Sequence, residues 1–132
     1  MESGKFKKYF MIHPLTFSGP LHKQSYHFAL HAILFSKSLM KEKEYVLSKQ
    51  FLRSATSVGA NIEEAQQPQS RADFISKLSI ALKEATESRY WLHLIHDSGF
   101  ACSDVVQPLI EQSNQIIGML VTSIKTSKSN PH

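Results

Sequence analysis

A chain of 132 residues suits one domain and is long enough to bury a core. Apolar residues at 42% and charged residues at 20% fit a soluble globular protein, and the single cysteine, Cys102, rules out an intrachain disulfide framework. The formal charge of +4 is a modest bias that suits an anionic partner or simple solubility.

Residues 1–20 lack periodicity. Pro14, Ser18, Gly19 and Pro20 mark a loop or flexible arm. Lys5, Lys7 and Lys8 precede Phe10-Met11-Ile12, an apolar run too short for a signal-peptide core and interrupted by His13-Pro14. No apolar stretch reaches the roughly 18 residues of a membrane span. A cytoplasmic protein with no membrane association is expected.

Four helices are predicted from about 22–41, 44–67, 71–98 and 104–126. In the first, Leu21, Ser25, Phe28, Ala32, Phe35 and Leu39 recur at alternating steps of four and three, and Leu30, Ile33 and Leu34 widen the stripe. Lys41-Glu42-Lys43-Glu44 connects it to the second. There Leu47, Phe51, Val58, Ile62 and Ala65 form the stripe. Gly59 lies inside this helix at a cost of about 1 kcal/mol relative to alanine. Its retention predicts a close approach by another backbone. Pro68 ends the helix.

Ser70-Arg71-Ala72-Asp73 resembles a capping box with Asp in place of Glu and opens the third helix. Phe74, Leu78, Ala81, Ala85, Ser88, Leu92 and Ile95 carry the 3.5-residue period of a helix-on-helix seam. Gly99 suits a left-handed cap. Ser103 is the expected cap of the fourth helix, whose stripe is Val106, Ile110, Ser113, Ile117, Leu120 and Ile124. The organisation is thus an arm over 1–20, an all-α up-down-up-down bundle over 21–127, and a polar tail over 128–132. The stripes are wider than a lone bundle needs, with Tyr90-Trp91-Leu92 spanning nearly half a circumference. The surplus predicts a homo-oligomer.

No catalytic motif is present: there is no Gly-x-Ser-x-Gly elbow and no Gly-rich phosphate loop. A di-iron bundle site needs Glu-x-x-His units, and Glu84-x-x-Glu87 is the nearest approach. His93, His96 and Asp97 are spaced to share a metal, or to lie as polar residues on an outward face. No metal, cofactor or catalytic residue is assigned, and Cys102 is expected in a half-buried loop. Pairing the second and third helices as a hairpin sets Arg53 beside Glu84 and Glu87, and Asn61 beside Ser76 and Lys77. These four, Arg53, Asn61, Glu84 and Glu87, are read as a structural polar network, with a ligand-binding cluster as the other reading. Basic residues lie on every helix. Lys49, Lys77, Lys83, Arg89 and Lys125 are the candidate nucleic-acid contacts, with a solvated helix face as the other reading. Base-specific readout has no support, since no RNP-like aromatic platform or zinc knuckle occurs.

Arg53-Ser54-Ala55, Ser57-Val58, Asn61-Ile62-x-Glu64, Phe74, Leu78, Ala81, Ala85, Glu87-Ser88 and Leu92 together resemble the 23S ribosomal RNA intervening-sequence family over about residues 22–126. Two positions depart from its pattern: Ala65 and Ala85 stand where the family often has glycine. The resemblance implies a bundle assembled as a homopentameric ring. It extends to the accessory protein of diversity-generating retroelements, which binds nucleic acid and a reverse transcriptase through a basic surface. The family's name records where its genes lie and is silent on activity. RNA or DNA is therefore the expected partner, with a protein-interaction scaffold as the alternative and an enzyme or metal carrier centred on Glu84, Glu87, His93 and His96 as a third reading.

Overall fold

The structure is a computed structural model that describes residues 12–129. Part of the expected arm and the last residues of the tail lie outside them. Four α-helices account for the regular structure among the described residues: α1 (Pro20–Lys41), α2 (Val46–Glu64), α3 (Arg71–Asp97) and α4 (Ser103–Ser129). Each helix packs on its two neighbours around the bundle, and the slightest packing is between α1 and α4. This is the up-down-up-down four-helix bundle. Its core joins Phe28, Phe35, Phe51, Val58, Leu78, Leu92, Ile95, Ile116 and Leu120 with the alanines 32, 55, 81 and 85. Phe51 stands edge-on to both Phe28 and Phe35, with centroids 6.2 and 5.7 Å apart.

The helix ends differ from the sequence expectation for identifiable reasons. Helix α1 starts at Pro20 because a proline at the first position loses no helical hydrogen bond. It stops in a Schellman motif: Glu44 N–H donates to the Leu39 carbonyl and Lys43 N–H to that of Met40, with Lys43 left-handed at φ 64°. That turn delays α2 to Val46 rather than 44. At its other end α2 gives way at Glu64 rather than 67, because Gln66 and Gln67 bond three residues back, to Glu63 and Glu64. Ser70 Oγ accepts from the Asp73 N–H at 3.0 Å, while Asp73 Oδ2 accepts from Gln69 N–H at 3.1 Å, one residue before the cap. A second Schellman motif closes α3, with Gly99 at φ 83° and Phe100 N–H donating to the Ile95 carbonyl.

Helix α4 departs most. The Cys102 carbonyl takes its first hydrogen bonds, so Ser103 is the first helical residue and not its cap. Cys102 is exposed rather than half-buried, since the turn holds it outside the core. The helix continues to Ser129 rather than 126, through part of the expected polar tail. Ile116 enters the core and Ile117 packs only at its edge. Pro108 sits six residues into α4, where it cannot donate to the preceding turn.

Serines line the seams. Ser25, Ser36, Ser48, Ser54, Ser88 and Ser113 are all buried, and every buried side-chain polar atom among the described residues has a hydrogen-bond partner. Ser54 donates to the Phe51 carbonyl, and Ser88 Oγ lies 2.9 Å away from Ser54 Oγ across the α2–α3 seam. Such short side chains let the helix backbones approach. At Gly59 the approach is tight: a Cβ built there would sit 3.3 Å from the Ser25 carbonyl oxygen of α1.

Candidate nucleic-acid interface

The charged side chains facing out between α2 and α3 mostly neutralise one another. Arg53 donates through Nη1 to Glu84 Oε2 at 3.2 Å and through Nη2 to Glu87. Hydrogen bonds donated to Glu84 and then to Glu87 hold the guanidinium above its ordinary pKa. Glu87 also accepts from Trp91 Nε1 at 2.9 Å, and that bond, followed by Arg53, holds its carboxyl below the usual carboxylate range against the effect of burial. Asn61 stays out of this network. Its amide donates to the Ser57 carbonyl of its own helix at 2.9 Å, satisfying itself locally rather than meeting Ser76 or Lys77.

Of the five candidate contacts, two are engaged within the chain. Lys77 Nζ lies 3.0 Å from Glu64, which raises its pKa, and Arg89 donates to Asn114 Oδ1 at 2.8 Å. Lys49, Lys83 and Lys125 make no ion pair among the described residues, and they sit on three different helices. No one face gathers all five.

The excess positive charge has a different address. Helix α1 holds Lys23, Lys37 and Lys41 and no Asp or Glu. In α2, Lys49 and Arg53 are matched by Glu63 and Glu64. In α3, Arg71, Lys77, Lys83 and Arg89 are matched by Asp73, Glu84, Glu87 and Asp97. Helix α4 has Asp104 and Glu111 in its first third and Lys125 and Lys128 near its end, with no carboxylate after Glu111. Sequence reasoning ranked single lysines and passed over this segregation, although the missing carboxylates of α1 are legible in the chain.

The loosely packed α1–α4 seam opens as two grooves of different chemistry. One, about 760 Å³, runs between the start of α1 and the end of α4. It is lined by Pro20, Leu21 and Gln24 and by Gln115, Gly118, Met119, Thr122 and Ser123. Its lining is uncharged, with hydrogen-bonding amides and hydroxyls over an apolar floor. Lys23 adjoins it on α1, Lys125 and Lys128 follow it on α4, and Arg71 Nη1 reaches the Ser127 carbonyl at 3.4 Å. The other groove, about 530 Å³, is mainly apolar and includes Leu34, Val105, Pro108 and Leu109. Leu34 is 65% exposed and Val105 48%. Near it lie Lys37 and Lys41 on α1 and Asp104 on α4.

Ahead of α1, Phe17 packs on His22 and Tyr26 at centroid distances of 5.2 and 5.5 Å. His22 Nδ1 accepts from Ser18 N–H, which leaves Nε2–H to donate to Glu63 Oε1 at 2.7 Å. At the α3–α4 turn, His96 lies 2.9 Å from both Asp97 Oδ1 and Ser103 Oγ. The order of groups is that of a serine-nucleophile relay, but it sits on an exposed turn and lines neither groove. The His93 side chain makes no hydrogen bond among the described residues, and no three metal-ligating side chains gather there. None of their helices is long and apolar enough to cross a membrane.

Comparison with known proteins agrees with this architecture. No curated protein matches the chain. A solved structure, described as a protein of unknown function from the S23 ribosomal protein family of Bacteroides thetaiotaomicron VPI-5482, is similar at 45% identity and a TM-score of 0.79. The match covers 80% of this chain and 99% of that one. The family model described as 23S rRNA-intervening sequence protein matches residues 21–122, which is most of the bundle, and the chain therefore belongs to the 23S rRNA-intervening sequence protein family.

Proposed function

We propose that this chain is a non-enzymatic, homo-oligomeric bundle that binds RNA or DNA through its phosphates. One observation carries the reading: Lys23 at the start of α1 lies by the end of α4, which holds Lys125 and Lys128 and has no carboxylate after Glu111. Carboxylates repel a polyanion, so a surface without them binds one better than an equally charged mixed surface does. Lys23, Lys125 and Lys128 are the principal contacts. Lys49 and Lys83 are unpaired among the described residues but lie on α2 and α3, where basic and acidic residues are equal in number, and contribute less.

The apolar half of the α1–α4 seam supports self-association. Tyr26, Leu30, Ile33 and Leu34 of α1 and Val105 of α4 are large side chains left in water. Lys37 and Lys41 on one side and Asp104 and Glu111 on the other suit pairing between copies. A ring of identical subunits, five by family resemblance, would repeat the basic patch and add avidity. The same exposed stripe also fits a protein-interaction scaffold, the second reading.

The test is fluorescence anisotropy of labelled RNA and DNA against salt, with sedimentation at the same protein concentrations. Three phosphate contacts per subunit on a single strand predict a log–log salt slope of about −2 per subunit engaged. Replacing Lys23, Lys125 and Lys128 with Glu should abolish binding and leave sedimentation unchanged. Absence of affinity for either nucleic acid at low ionic strength would refute the reading.

A further inference from the structure

Gly118 has no role that the isolated chain explains. It lies inside α4, where glycine costs about 1 kcal/mol relative to alanine. The other mid-helix glycine, Gly59, touches the α1 backbone, whereas a Cβ built at Gly118 meets nothing within 4 Å. Gly118 is exposed and lines the uncharged groove between the start of α1 and the end of α4 with Gln24, Gln115, Thr122 and Ser123. A bare patch of helix backbone in such a groove admits a ligand closer than any side chain would allow.

We propose that the groove over Gly118 seats a nucleotide of a single nucleic-acid strand, an inference that rests on the nucleic-acid reading above. Charge complementarity selects the occupant. The groove is uncharged, with Lys23 on one side and Lys125 about 10.5 Å beyond Gly118 along α4, at seven residues of helical rise. Phosphates meet those lysines while the base or sugar enters between them. The lining suits a base, whose flat face is apolar and whose edge forms hydrogen bonds: Leu21 and Met119 offer the floor, and Gln24 and Gln115 the donors and acceptors. The groove volume lies within the roughly 300–1,000 Å³ of small-ligand sites. A duplex keeps its bases stacked inside and could offer this groove only its backbone.

The experiment compares Gly118→Leu and Gly118→Ala with the full-length chain and with Ala60→Leu, a control on the exposed face of α2. The probes are a labelled oligouridylate of about twenty nucleotides, longer than a typical single-strand site of roughly 4–16, and a duplex of the same length. Thermal unfolding and sedimentation are recorded for every variant. The expected result is a loss of about tenfold or more in single-strand affinity for Gly118→Leu, a smaller loss for Gly118→Ala, and no change for Ala60→Leu. The unsubstituted chain should prefer the single strand. Should Gly118→Leu fail to fold, the graded loss in Gly118→Ala decides. Equal affinity in the Gly118 variants, or duplex binding as tight as single-strand binding, would overturn this inference and leave the broader reading standing. A changed sedimentation coefficient with unchanged RNA affinity would overturn it by making the groove a protein seam. Failure of the unsubstituted chain to bind either probe at low salt would remove both.

Discussion

Gly59→Ala and Gly118→Ala make the same chemical change in two helix interiors, and different outcomes are expected of them. Replacing an interior glycine by alanine gains about 1 kcal/mol of helix stability where nothing opposes it. At Gly118 the added methyl meets nothing within 4 Å, so the full gain is expected. For a domain of this size that is a rise in Tm of about 3–6 °C. At Gly59 the methyl would stand 3.3 Å from the Ser25 carbonyl oxygen, with the Ala29 Cβ at 4.0 Å. Helix α1 must retreat by a few tenths of an ångström, yet Ser25 and Phe28 fix it in the core. Overpacking of this kind costs about 1–3 kcal/mol, so Gly59→Ala nets from no change to about 2 kcal/mol of destabilisation. Urea unfolding followed by circular dichroism, at one protein concentration, measures both. Equal stabilisation at the two sites would refute the tight α1–α2 contact.

Phe51→Ala removes the ring shared by Phe28 and Phe35 at a fully buried site and should cost about 3–5 kcal/mol in the same unfolding assay. Lys43→Gly relieves a left-handed residue in the α1 cap and should stabilise by about 1 kcal/mol, read as a higher urea midpoint with unchanged slope. The depressed pKa of Glu87 means that its contribution is complete above the ordinary carboxylate value of about 4.3 and is lost as pH falls through the lower folded value. Stability measured from pH 6 down to 3 should therefore fall less steeply in Glu87→Gln than in the parent, and parallel curves would contradict the Trp91–Glu87–Arg53 arrangement.

The helices were legible because their apolar positions keep one period over many turns, as in Phe74 through Ile95. The Arg53–Glu84–Glu87 contact followed from simple hairpin arithmetic, since a short turn about Pro68 leaves little freedom of register. Gly59 was legible because an interior glycine is costly enough to need a reason. Asn61 was misjudged because its amide can close a hydrogen bond on its own helix, an option that residue spacing does not reveal. The start of α4 was misjudged because a carbonyl, that of Cys102, made the first turn without a side-chain cap. Ranking lysines one by one hid the charge pattern, because whether a cation is free depends on which carboxylate lies across the seam. Lys77 is engaged for that reason, by Glu64, and Arg89 by the Asn114 amide oxygen, whereas Lys23 has no acidic residue anywhere on its helix.

The terminal helices α1 and α4 meet along the sparsest of the four packing lines, and that has a kinetic consequence. Transient opening should begin there, with α2 and α3 persisting as a hairpin. Amide deuteration would then advance inward from the two outer helices, and a ligand spanning the seam would act as a latch that slows both together.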